Sequence, residues 1–108
     1  MILIIGAKAS GQIEYARNNY PEKKMLINLH LIIREKLSAG EVIDDYINDI
    51  ANKYADGIII SDVIGEGIVP VDRFEEEWRE KTGRTLIYLA GRSDEVIRTV
   101  CGIGQRIK

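Results

Sequence analysis

The chain has 108 residues, 45% of them hydrophobic and 30% charged, which supports one packed domain over residues 1–108 and excludes a disordered or collagen-like chain. A net charge of -2, with no basic run beyond Lys23-Lys24, argues against nucleic acid or an anionic membrane as partner. The lone Cys101 excludes an intrachain disulfide and a cysteine-rich metal site, and no apolar run approaches the roughly 20 residues of a membrane helix, so a cytoplasmic protein with no metal site is expected.

Met1 to Ile5 is a short apolar run stopped by Gly6, the pattern of a strand buried on both faces; it has neither the basic leader nor the cleavage site of a signal peptide. After the loop Gly6-Ala7-Lys8-Ala9-Ser10-Gly11, the residues Ile13, Ala16 and Tyr20 recur at helical spacing, and Asn18, Asn19 and Pro21 end that helix. Met25 to Ile33 is a second apolar run, interrupted only by Asn28 and His30. Its first part reads as a second buried strand, and its tail leaves the sheet.

Ser38 and Glu41 have the spacing of a capping box and predict a helix start. Ile43, Tyr46, Ile47, Ile50 and Tyr54 mark one face of that helix, and Asp56-Gly57 closes it. Gly57 to Ser61 is the clearest strand. A glycine-containing loop, Asp62 to Pro70, follows it. Asp72 and Glu75 cap a further helix carrying Phe74, Trp78, Leu86 and Leu89, with Gly83 as a point of interruption. Glu95 to Val100 predicts a last inner strand and Ile103 to Ile107 a short terminal one.

This alternation predicts an α/β fold of three layers, a mainly parallel sheet with flanking helices. Ligands of such sheets bind beyond the carboxyl ends of the strands, where the glycine loops 6–11 and 65–67 are expected.

Gly6 and Gly11 stand four residues apart between a strand and a helix, the frame of the phosphate-binding loop G-x-x-x-x-G-K-[ST]. In that loop backbone N–H groups cradle phosphate, the lysine neutralises it and the hydroxyl holds magnesium. Here those two positions are Gln12 and Ile13. The candidate nucleotide- or phosphate-binding residues are therefore Gly6, Ala7, Lys8, Ala9, Ser10, Gly11 and Gln12. The alternative reading of the same spacing is a plain strand-to-helix turn.

Ile60-Ser61-Asp62-Val63-Ile64-Gly65-Glu66-Gly67-Ile68-Val69-Pro70 resembles the stretch V-[ST]-N-E-V-G-x-G-I-V-P of the cobinamide kinase/cobinamide-phosphate guanylyltransferase family. Trp78-Arg79-Glu80 with Gly83, Ser93-Asp94-Glu95-Val96, and Gly102-Ile103-Gly104 with Ile107-Lys108 are similar to later motifs of that family in the same order. Met1 to Ile13 resembles its opening M-I-L-V-T-G-G-A-R-S-G-K-S.

The resemblance implies a P-loop NTPase-like (RecA-like) fold in truncated form. It implies cobalamin biosynthesis, with GTP or ATP and Mg2+ as cofactors and a nucleotide or corrinoid ligand. The family phosphorylates a cobinamide hydroxyl and transfers GMP through a guanylylated histidine. Asp62, Gly65 and Gly67 form the candidate second loop.

The chain departs from the family at Gln12 and Ile13, at Asp62-Val63 in place of Asn-Glu, at Leu86-Ile87 in place of Asn-Gln, and at Asn28 in place of an acid that would help hold magnesium. The segment bearing the family's histidine is missing between Tyr20 and Met25, and His30 reads as a hydrogen-bonded core or strand-end residue. These departures imply a shortened, degenerate member without efficient transfer chemistry that retains nucleotide, phosphate or corrinoid binding. An active transferase with altered site residues, and a structural or regulatory subunit of a homo-oligomer, are the other two readings.

Among the remaining candidates, Glu75, Glu76, Glu77 and Glu80 read as a solvated helix face and Cys101 as a buried inert thiol, while Arg92 and Arg98 could meet an anion but read better as paired surface residues.

Overall fold

The computed structural model describes residues 1–64 and 72–108. In chain order the elements are β1 (Ile2–Gly6), α1 (Gln12–Asn19), β2 (Met25–Leu26), α2 (Leu29–Ser38), α3 (Asp44–Lys53), β3 (Ile58–Asp62), α4 (Arg73–Arg92), β4 (Glu95–Val100) and β5 (Ile103–Arg106). Among the described residues the sheet runs β2-β3-β1-β4-β5. Strands β2, β3, β1 and β4 are parallel, and β5 returns antiparallel to β4 as a sheet edge. This is the expected α/β architecture with a mainly parallel sheet, and it is consistent with a P-loop-like domain.

The period-two alternation of strand side chains divides the core between the two faces. Ile2, Ile4, Ile58, Ile60 and Ile97 pack with Ala16 of α1. Leu3, Ile59 and Val96 pack on the other face with Leu29 and Ile33 of α2, Ile47 and Ile50 of α3, and Leu86 and Leu89 of α4. Continuous isoleucine runs are needed because β1 and β3 are covered on both sides.

Two stretches depart from the expected elements. The apolar run at Met25 leaves the sheet after two residues: Asn28 turns to φ 55°, and Leu29 opens α2, so His30 and Ile33 are helical. Ser38 is the last residue of α2 and caps nothing; Gly40, at φ 75°, lies just past its end. Helix α3 starts only at Asp44, with the predicted face buried or half-buried at Ile43, Tyr46, Ile47, Ile50 and Tyr54. The Asp72 cap forms as expected, its carboxylate accepting from the Glu75 amide at 2.7 Å. Gly83 does not interrupt α4, which runs unbroken for 20 residues.

Helix α4 is clasped to α2. The Arg34 guanidinium lies 4.5 Å from the Trp78 ring centroid and pairs with Glu75 at 2.5 Å. Trp78 donates its indole N–H to the His30 carbonyl at 2.7 Å. The acidic run is thus partly committed to ion pairs, since Glu80 also binds Arg84.

Candidate functional site

The loop after β1 leaves the sheet between two strand ends. Gly6 is in register with Asp62 of β3 on one side and with Thr99 of β4 on the other. A β-carbon on Gly6 would stand 2.9 Å from the Thr99 carbonyl oxygen, so the close approach of the strands requires glycine. Gly11 closes the loop at φ 88°, a left-handed conformation, and α1 begins at the next residue. The first-turn amides of α1 have no intrahelical partner, as at any helix start, and they face the carboxyl edge of the sheet.

On the β3 flank three side chains lock together. Gln12, only 6% exposed, directs its side-chain amide at three oxygens: Asp62 Oδ1 at 2.9 Å, Ala7 O at 3.2 Å and Gly6 O at 3.3 Å. All three can only accept, so Nε2 is the atom pointing inward. The other carboxylate oxygen, Asp62 Oδ2, lies 3.3 Å from His30 Nε2.

The His30 tautomer follows from its second contact. Nδ1 accepts the Asp62 backbone N–H at 3.0 Å, so the ring proton sits on Nε2 and is donated to Asp62. Burial pushes the imidazole below its usual pKa, against the opposing attraction of Asp62, and the ring is neutral at pH 7. The Ser61 hydroxyl, fully buried, donates to the Asp62 carbonyl at 3.0 Å. With both nitrogens engaged and the ring 5% exposed, His30 is a structural group and is not placed to attack a phosphorus centre.

The β4 flank is built differently. Ser10 and Thr99 share a buried hydroxyl–hydroxyl hydrogen bond of 2.9 Å, and the Gly102 amide donates to Ser10 O at 2.9 Å. The β4–β5 turn is thereby pinned against the loop, with Gly102 Cα 2.8 Å from where a Gly11 β-carbon would stand. Cys101 sits in this turn at φ 52° and is exposed, so the expectation of a buried thiol does not hold. Two clefts open on either side of the loop. One, of about 600 Å³, lies between α1 and β3, touches the β4–β5 turn at Cys101, and includes Lys8, Gln12, Glu14, Asn28 and Asp62. The other, of about 550 Å³, lies toward β4 and includes Ile5, Lys8, Val63, Arg98 and Cys101.

Residues 22–107 match the family model for cobinamide kinase / cobinamide phosphate guanyltransferase. The chain belongs to this family. It is also similar to the bifunctional adenosylcobalamin biosynthesis protein CobU of Salmonella typhimurium, at 39% identity over 51 residues. That likeness covers 47% of this chain and 28% of the relative, so the chain spans little more than a quarter of that protein's length. The family match begins well after the loop 6–12 and rests on residues 22–107 alone.

Gly6, Ala7, Lys8, Ala9, Ser10, Gly11 and Gln12 come together at the carboxyl edge of the sheet, and Asp62 joins them across the register. Gly65 and Gly67 lie outside the described residues, as does the remainder of the stretch 65–71. Asn28 also reaches this edge, because its left-handed turn places it in the cleft beside Asp62.

The described residues do not fit the magnesium ion of a cobinamide kinase. The Ile13 side chain offers no oxygen, both Asp62 carboxylate oxygens are engaged by Gln12 and His30, and no group of three or more His, Cys, Asp or Glu residues could hold a metal among the described residues. No helix among them is long and apolar enough to cross a membrane.

The sequence reading missed the Gln12–Asp62–His30 contact, which joins residues 50 and 32 positions apart. It also misjudged Arg98. Arg92 is paired as expected, with the Tyr88 hydroxyl and Asn52, but the Arg98 side chain makes no hydrogen bond or ion pair among the described residues.

Proposed function

We propose that this chain is a ligand-binding member of the cobinamide kinase/guanylyltransferase family that has lost phosphoryl and guanylyl transfer. It holds the phosphate end of a nucleotide, or a corrinoid phosphate, at the loop after β1. The observation that carries this reading is the placement of Gln12. The side chain in the lysine position is neutral, buried and turned inward onto Asp62 and the loop carbonyls.

Phosphoryl transfer depends almost wholly on positioning and on stabilising charge spread over the transferred group. Losing one donor aimed at that charge raises a barrier by about 2.7–4 kcal/mol. Here the lysine and the metal-holding hydroxyl are replaced by Gln12 and Ile13, and His30 is not placed to act as a nucleophile. Backbone anion binding needs none of them, because amides of the glycine loop supply it.

The test is a transfer assay with radiolabelled GTP, cobinamide and magnesium, run beside calorimetric titration with GTP, ATP and cobinamide. The expected result is binding without labelled product, at an affinity unchanged when EDTA replaces magnesium. Catalytic turnover would overturn the loss of chemistry, and absence of binding to all three would overturn the binding role.

A second reading, an oligomer subunit, is favoured by the solvent face of α4. Ile87 is 75% exposed there, between Gly83 and Gly91, and nothing lies within 4 Å of a β-carbon added at either glycine. A strictly monomeric mass in light scattering across concentrations would sink this reading.

A further inference from the structure

We propose that the anionic end of the ligand enters the cleft on the β4 flank of the loop, held by Lys8 and Arg98, and not the cleft between α1 and β3. The inference rests on the binding role above and assigns it a side and a chemistry: an organic phosphate bound without metal.

The two clefts differ in charge. The one toward α1 and β3 sets the single cation Lys8 against two carboxylates, Asp62 and Glu14. The one toward β4 is lined by Lys8 and Arg98 and, among the described residues, by no carboxylate. A phosphate a few ångströms from a carboxylate is repelled by about 1 kcal/mol per charge pair in water and about 4 kcal/mol near a protein surface. The sign of that interaction reverses on the β4 side.

Arg98 is also available. Arg34, Arg84, Arg92 and Arg106 are engaged by carboxylates or other side-chain oxygens, whereas Arg98 and Lys8 have no such partner among the described residues. Arg98 stands on an inner strand, in register with Ile5 of β1 and Gln105 of β5, so its Cα is fixed by pairing on both sides. A planar guanidinium on a rigid strand suits two-point recognition of phosphate oxygens, and Lys8 adds a second charge from the loop. Two cations supply the neutralisation that a metal would otherwise provide.

The remaining wall is apolar. Ile5, Val63 and Val100 line the same cleft, and Val100 is 50% exposed. They offer a surface for a ring or other apolar part of the ligand, with the phosphate directed at Arg98. The buried Ser10–Thr99 hydrogen bond holds the loop to β4, so the cleft exists before ligand arrives.

The experiment is calorimetric titration in EDTA with two probes, GTP and inorganic pyrophosphate, on the unaltered chain and on Arg98→Gln, Lys8→Gln and Asp62→Asn. Circular dichroism melts establish folding, and Arg98→Lys serves as the conservative variant. The expected result is that Arg98→Gln and Lys8→Gln each weaken both probes about tenfold, Arg98→Lys weakens them less, and Asp62→Asn does not tighten them. Pyrophosphate binding that depends on Arg98, without GTP binding, supports the cleft and removes the nucleotide from the proposed function. GTP binding unchanged in Arg98→Gln and Lys8→Gln, or tightened tenfold in Asp62→Asn, overturns the cleft and leaves the binding role standing. No binding of either probe overturns the cleft and removes the nucleotide, and the cobinamide titration above then decides whether the binding role stands.

Discussion

The two flanks of the loop after β1 use polar residues in opposite ways. On the β3 side three buried or half-buried side chains answer one another: Gln12 is met by Asp62, Asp62 by His30, and His30 by the Asp62 backbone amide. On the β4 side the hydroxyls of Ser10 and Thr99 answer each other, and the two cations beyond them have no protein partner among the described residues. A closed network fixes shape, because a buried polar group left without a partner is costly. Open cations leave their interaction free energy for something that arrives from outside. The contrast assigns stability to one flank and recognition to the other, and substitutions on each should show it.

The largest effect is expected between the flanks, at Gly6. An alanine there brings a β-carbon to 2.3 Å from Ser10 Oγ, 2.5 Å from Thr99 Oγ1 and 2.9 Å from a backbone oxygen. The loop or β4 must move, at about 3 kcal/mol. Urea denaturation should show Gly6→Ala shifted by that amount, and a midpoint matching the unaltered chain would mean that the strands do not approach so closely.

Asp62→Ala comes next. It takes one of three acceptors from the Gln12 amide and leaves the proton on the buried His30 Nε2 without its partner, and should cost about 2 kcal/mol by the same measurement. Asp62→Asn recovers only part of this, since its amide nitrogen faces another donor whichever way it turns. Equal stability of the two variants with the unaltered chain would dissolve the closed network.

The third effect is one of slope. Folding lowers the His30 pKa from its ordinary 6.5, chiefly by burial. Between the folded and unfolded values the unfolded chain binds the extra proton, so stability rises with pH across that window. The His30 contribution is complete above about pH 6.5 and is lost as the pH falls toward the lower, folded value. Urea midpoints from about pH 7.5 down to pH 5 should therefore decline, and His30→Gln should flatten the upper part of that decline. An unchanged slope in the variant would remove His30 as its source.

How much of this was legible beforehand depended on distance along the chain. The isoleucine runs of β1 and β3, the α3 stripe and the Asp72 cap are local patterns, and they stand where periodicity placed them. The run from Met25 to Ile33 misled because a short apolar stretch suits a strand or a buried helix equally. Two signals in it favoured the helix: Leu29 and Ile33 at four-residue spacing, and Asn28, a residue that tolerates the left-handed turn found there. Ala39-Gly40 likewise announced a helix end that the Ser38–Glu41 spacing obscured. The glycine frame at 6–11 put the loop on the correct edge. The Gln12–Asp62–His30 contact had no local signature, because it exists only after β1 and β3 pair and α2 folds back over them.

The smallest effect tests the recognition flank. Arg98→Gln and Lys8→Gln remove exposed side chains that hold no described protein partner, so each should change stability by less than about 0.5 kcal/mol. This near-absence of effect is informative only beside Asp62→Ala. A residue kept for the fold reports its loss in denaturation, whereas one kept for a ligand reports it in titration. If Arg98→Gln destabilises the chain as much as Asp62→Ala, the guanidinium belongs to the protein's own packing and the two flanks are alike. If it leaves stability intact while weakening anion binding, the positive charge at the end of β4 serves a molecule outside the chain.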